Sequence, residues 1–102
     1  MAKVIWTAGA LQDLDEIANY IAGENAEAAN RLVAKIFAQV ELLETFPELG
    51  RFEPELRGGI HRRLVIAPCK VIYKIKNDAM FVELVIRGER LLREELLKHR
   101  NF

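Results

Sequence analysis

The stretch IHRRLVIAPCKVIYKIKNDAMFVELVI, residues 60–86, decides the fold. Its side chains alternate rather than recurring every three or four residues, which is the period of strands with one buried face. IHRRLVI is one strand and Ala67-Pro68 a turn. In the strand CKVIYKIK that follows, Val71, Tyr73 and Ile75 face one way while Lys70, Lys74 and Lys76 face the other. Asn77-Asp78 supplies a tight turn. AMFVELVI then places Met80, Val82, Leu84 and Ile86 on one face, with Phe81, Glu83, Val85 and Arg87 opposite. In the first strand His61 and Arg63 share a face and Arg62 takes the other. Three consecutive strands joined by short turns make an antiparallel meander, and its apolar face needs a cover.

The cover lies upstream. KVIW, residues 3–6, reads as an opening strand, and Thr7 as a cap for a helix carrying Leu11, Leu14, Ile17, Ala18 and Ile21 at helical spacing. Asp13, Asp15 and Glu16 are read as hydrating that helix's polar side. Gly23 ends it, Asn25 caps the next, and Ala29, Leu32, Val33, Ile36, Val40 and Leu43 form a second apolar stripe that stops near Phe46-Pro47. The segment PELGRFEPELRGG, residues 47–59, is a connecting loop, since neither flank could build a core alone. The expected architecture is α+β, β-α-α-β-β-β. A helical hairpin packs on one face of a small antiparallel sheet, and RLLREELLKHRNF forms a C-terminal helix or tail. The 102 residues are expected to form a single domain.

Charge is divided along the chain. Residues 1–56 carry four basic and ten acidic residues, a net of −6, and residues 57–102 carry eleven basic and five acidic ones, a net of +6. Such a division suits an acidic partner or nucleic acid meeting the second half. No apolar run approaches the roughly 20 residues that a membrane span needs. The opening residues lack the apolar core of a secretory signal, and Cys69 is the sole cysteine, so a cytoplasmic protein is expected.

Several chemistries are excluded. The chain contains no serine, no glycine-rich phosphate loop and no Cys/His cluster, so neither metal nor cofactor is expected. Cys69 and His61 could pair as nucleophile and base, but a thiol beside a turn proline at a strand start reads as structural. What remains is a set of cations on the strands: His61, Arg62, Arg63, Lys70, Arg87 and Arg90. Arginine offers a planar fork of donors suited to phosphate or carboxylate.

DLDEIANYIAGENAEAANRLVAKIFAQVELLETFPELGR resembles the helical hairpin of the RelE/ParE toxin superfamily, including the Pro-x-x-Gly-Arg that ends at Arg51. RRLVIAPCKVIYKI resembles that family's central strand pair, and VELVIRGER its last strand. The resemblance implies the toxin component of a type II toxin–antitoxin (plasmid-stabilisation) module. Its partner would be a small, partly disordered, DNA-binding antitoxin, forming a hetero-oligomer with the toxin.

Two activities divide the superfamily. RelE-like members cleave mRNA on the ribosome, and ParE-like members inhibit DNA gyrase. By resemblance Lys70 and Arg90 fall where the nucleases keep phosphate-binding arginines. The nucleases' late tyrosine falls near Leu96, and this chain has no tyrosine after Tyr73. Arginine and lysine stabilise charge but transfer protons poorly near neutral pH. The ParE-like, non-enzymatic reading is therefore preferred, with Arg51, Arg63, Arg87 and Arg90 as contacts for target or antitoxin. The alternative is a ribosome-dependent endoribonuclease using Arg63, Lys70 and Arg90, with His61 or His99 in proton transfer. A further alternative is a non-toxic member that only binds antitoxin. In each case an antitoxin segment is expected along the helical hairpin and the exposed sheet edge.

Overall fold

The structure is a computed structural model, and it describes residues 3–56 and 58–88. Strand β1 (Lys3–Trp6) leads into helices α1 (Ala8–Ala22) and α2 (Ala26–Glu41), with a short 3-10 turn at Leu42–Glu44. Strands β2 (Arg51–Phe52), β3 (His61–Ile66), β4 (Cys69–Lys76) and β5 (Ala79–Arg87) follow. The expected element order stands, with one addition: a two-residue strand forms inside the connecting loop. The C-terminal helix or tail, which includes Arg90 and His99, lies outside the described residues.

The five strands run in the order β1-β5-β4-β3-β2. β3, β4 and β5 are the expected antiparallel meander, and β2 pairs antiparallel to β3. The sheet is mixed rather than antiparallel, because β1 lies parallel to β5 with Lys3 opposite Ala79 and Trp6 opposite Val82. A parallel neighbour needs a long crossover, and the two helices between β1 and the meander provide it.

Both helices start as their sequences predict. The Thr7 side chain accepts from the Ala10 N–H at 3.2 Å, and Asn25 accepts from the Ala28 N–H at 3.0 Å. Ala10 and Leu14 of α1 and Leu32, Ile36 and Val40 of α2 are buried against Leu64, Ile66, Val71, Tyr73, Met80, Val82 and Val85 of the sheet. Leu11 departs from this stripe and stays 45% exposed. Trp6 and Phe37 close one side of the core, with ring centroids 4.9 Å apart.

The alternation read along β5 breaks at one place. Ile72 lies opposite Leu84 and Tyr73 opposite Val82, so Glu83 is an extra residue in β5, a β-bulge. Met80 and Val82 face the helices. Beyond the bulge Val85 takes over that side, while Leu84 and Ile86 join Ile72 and Leu56 in a second cluster on the other face. The reading that grouped Met80, Val82, Leu84 and Ile86 is therefore corrected: an inserted residue inverts the parity of every side chain after it.

The edge of β5 beyond β1 is closed by α1. Thr7 donates to the Val82 carbonyl through both its backbone N–H at 3.1 Å and its hydroxyl at 2.8 Å. Asp13 accepts from the Val85 N–H at 3.0 Å, so this carboxylate ties helix to sheet rather than merely hydrating the helix. An ionised acceptor on an otherwise bare strand N–H is worth more than a neutral one. Asp13→Ala is expected to cost about 1–3 kcal/mol in urea unfolding, with Asp13→Asn recovering part of the loss because its carbonyl oxygen can still accept.

Candidate functional site

With the helices on one face, the candidate cations are sorted by which side of the sheet they reach. His61 and Arg63 of β3, Lys70 and Lys74 of β4 and Glu83 of β5 lie on the open face, around Ile72, Leu84 and Ile86. Arg87 does not. It lies opposite Cys69, whose side chain is in the helix-side core, and its guanidinium stacks 4.9 Å from the centre of the Tyr20 ring on α1. The bulge is what turns it there. Arg51 is exposed on the short outer strand β2, opposite Arg63. Of the six strand cations and His99, Arg90 and His99 lie outside the described residues.

Carboxylates already neutralise much of the open face. Glu53 is only 3% exposed and meets the Arg63 guanidinium at 3.2 Å. Glu83, at 1% exposure, lies 3.3 Å from the Lys74 ammonium and 3.6 Å from His61 Nε2. A carboxylate buried this completely is tolerable only when paired, so these are structural ion pairs whose loss of one partner is costly. Neither acid was singled out as a site residue in the sequence. In β5, Glu83 reads as one more alternating polar position; only the pairing of β3, β4 and β5, which sets it beside His61 and Lys74, reveals its role.

Cys69 and His61 are not a catalytic pair. Cys69 is 1% exposed in the helix-side core, and His61 is on the opposite face of the sheet. Burial bears out the structural reading of the thiol. His61 Nδ1 is buried without a hydrogen-bond partner among the described residues, and Nε2 lies 3.6 Å from a Glu83 carboxylate oxygen.

Tyr73 is core, as its apolar neighbours predict, and its hydroxyl organises the adjoining loop. It donates to the Pro47 carbonyl at 2.8 Å and accepts from the Gly50 N–H at 2.8 Å. A Cβ on residue 50 would lie 2.7 Å from the Tyr73 ring and 2.7 Å from the Arg63 carbonyl oxygen. Glycine is required there by close approach, which gives the Pro-x-x-Gly-Arg motif a mechanical meaning. Arg62 reinforces the same loop: it donates to the Gly50 carbonyl at 2.8 Å and stacks 4.0 Å from the centre of the Phe52 ring. Arg62 thus serves the fold rather than a ligand.

The sequence as a whole matches the model of the ParE toxin family, the ParE toxin of the type II toxin–antitoxin system parDE, over residues 4–92. The chain belongs to the ParE toxin family. It is 33% identical over 92 residues to toxin RelE2 of Caulobacter vibrioides, covering 89% of this chain and all of that protein. It is 27% identical over 99 residues to toxin ParE3 of the same organism, covering 96% and 98% of the two chains. A chain from the chromosomal ParDE toxin–antitoxin system of P. aeruginosa superposes with a TM-score of 0.73 at 26% identity, covering 87% of this chain and 98% of that one. This is a toxin of a type II toxin–antitoxin system in the ParE/RelE superfamily, and relatives named for both branches lie at comparable distance. Among the described residues, no helix is long and apolar enough to cross a membrane.

The Tyr73 latch yields a prediction with two readouts. Burial pushes the Tyr73 hydroxyl above the ordinary tyrosine pKa of 10.0, against the opposing pull of the Gly50 N–H. A folded-state pKa above the unfolded one gives stability that is complete below about pH 10 and is lost as pH rises through the folded value. Tyr73→Phe is expected to cost about 1–3 kcal/mol near neutrality, since buried groups of Pro47 and Gly50 lose their partner. The gap between wild type and variant should narrow as urea unfolding is repeated above about pH 10. A constant gap would show that the hydroxyl is not the group titrating.

Proposed function

We propose that this ParE-family toxin acts by binding, as a non-catalytic inhibitor of DNA gyrase that a cognate antitoxin holds inactive. The observation that supports this reading is the pairing on the open face. Arg63 is engaged by Glu53 and Lys74 by Glu83, His61 leans on the same carboxylate, and Tyr73 is locked into the loop. RNA cleavage needs cations free to meet phosphate and a group free to move a proton. Of the described candidates, Arg63 is held by a carboxylate, His61 lies against one and Tyr73 is turned into the helix-side core, which leaves Lys70 as the candidate cation of this face without a carboxylate partner among the described residues.

The antitoxin reading draws on the family and on the exposed surface. Leu11 and Tyr20 of α1 and Phe37 of α2 are exposed apolar groups on the helical hairpin. β2 covers only Arg62 and Arg63 of β3, which leaves the edge at Val65, itself 68% exposed, available for strand addition. An antitoxin segment along these two surfaces would bury both. Gyrase as target would place the toxin in the cytoplasm.

The second reading, ribosome-dependent mRNA cleavage, is favoured by the name of the RelE2 relative. Two assays separate them. Purified toxin is expected to block gyrase supercoiling and to accumulate cleaved DNA, with added antitoxin restoring activity. Primer extension on translating ribosomes is expected to show no toxin-dependent cuts. Normal supercoiling at large toxin excess, together with new cuts in the message, would reverse the assignment.

A further inference from the structure

The segment Glu53-Pro54-Glu55-Leu56 behaves as a ligand that the chain supplies to itself. It leaves β2 and folds over the open face, and its two ends fill two adjoining subsites. The Glu53 carboxylate takes the Arg63 guanidinium at 3.2 Å. The Leu56 side chain, 6% exposed, packs on Ile72, Leu84 and Ile86, which are themselves at most 2% exposed. The segment also holds its own shape: Glu53 Oε1 accepts from the Glu55 N–H at 3.4 Å, and the Glu53 carbonyl from the Leu56 N–H at 3.3 Å. Just beyond it Gly58 and Gly59 take left-handed backbone angles with open space around both.

We infer that this segment is a displaceable lid, and that the face beneath it docks an acidic, leucine-bearing segment of a partner protein. The internal ligand states the chemistry of the external one. A carboxylate and a leucine three residues apart fill the site, and the same acid-x-x-Leu spacing lies on one face of a helical turn, so a short amphipathic helix presents the same pair. Charge supports that occupant, because with the Glu53 carboxylate withdrawn the described charged side chains of this face include Arg63, Lys70 and Lys74 against Glu83 alone. An apolar floor of Ile72, Leu84 and Ile86 favours a protein side chain over a nucleic-acid backbone.

While the lid is closed, the affinity of an external segment is reduced by the fraction of molecules that are open, which makes the lid autoinhibitory. The inference rests on the reading that an acidic protein segment is this toxin's partner. Its test uses neither gyrase nor antitoxin, so the two fail separately.

The probe is the capped hexapeptide RFEPEL, the chain's own residues 51–56, titrated into isotopically labelled protein. In Glu53→Gln/Leu56→Ala the methyl resonances of Ile72, Leu84 and Ile86 are expected to shift, with an affinity at least about tenfold above wild type. A peptide with Gln and Ala at the two key positions is expected to leave them still. A folded variant whose methyl groups ignore the peptide overturns the proposal. So does equal binding by wild type and variant, and so does a preference for a short oligouridylate over the peptide.

Lid opening is read separately in Leu56→Cys, where buried Cys69 reports global unfolding. Thiol labelling at residue 56 is expected to be at least about tenfold faster than at Cys69. Equal rates would mean that Leu56 leaves its site only when the whole protein unfolds, and the lid would be abandoned.

Discussion

One inserted residue in β5 sets the chemistry of this toxin's sheet. Glu83 has no counterpart on β4, and the chain accommodates it by carrying Glu83 and Leu84 past Ile72 together. Glu83 itself keeps the open-face side that alternation gives it, where it meets Lys74 and His61, and two consequences follow for the residues after it. Leu84 and Ile86 are delivered to that face and require an apolar cover, which Leu56 contributes. Arg87 is turned away from it, onto Tyr20 of α1. Were Glu83 paired in regular register instead of bulged, Arg87 would stand among the open-face cations and Leu84 among the helix-side core.

Most of the fold was legible because it rests on long, redundant patterns. Six residues of the α2 stripe from Ala29 to Leu43 had to agree before a helix was read, and the caps Thr7 and Asn25 marked both helix starts independently. The meander likewise followed from three alternating runs with turn residues between them. The parallel pairing of β1 was less legible, because four residues of KVIW carry no information about their neighbour. The two-helix crossover permits that direction, and the bonds of Thr7 and Asp13 to β5 hold β1 and α1 against one edge. Asp13 looked like any solvated acid on a helix, since periodicity reports which side a residue takes and not what it finds there.

The site was legible in composition and illegible in arrangement. Alternation places His61 and Arg63 on one face of β3 and Lys70 with Lys74 on one face of β4, where no bulge intervenes, and the register of the two strands brings both sets to the open face. Arg87 was misplaced relative to the core because counting by twos across a bulge inverts the answer. Glu53 was passed over for a different reason: it lies in a loop with no period at all, and its burial depends on a turn that brings it against Arg63. Buried carboxylates are hard to see from sequence because they look like surface residues until their partners are known.

These acids bear on how activity is distributed in the ParE/RelE superfamily. Counting arginines at motif positions treats each as available, whereas a guanidinium held by a buried carboxylate has already exchanged its hydration for a fixed partner. Any anion that reaches Arg63, phosphate or carboxylate, must therefore take the place of Glu53, because two anions around one cation are unfavourable beside a low-dielectric floor. The acids that face these cations, Glu53 at Arg63 and Glu83 at Lys74 and His61, therefore shape the face as much as the cations themselves. On this sheet Arg63 and Lys74 are matched internally, so the charge that they offer an incoming partner is smaller than a count of cations suggests.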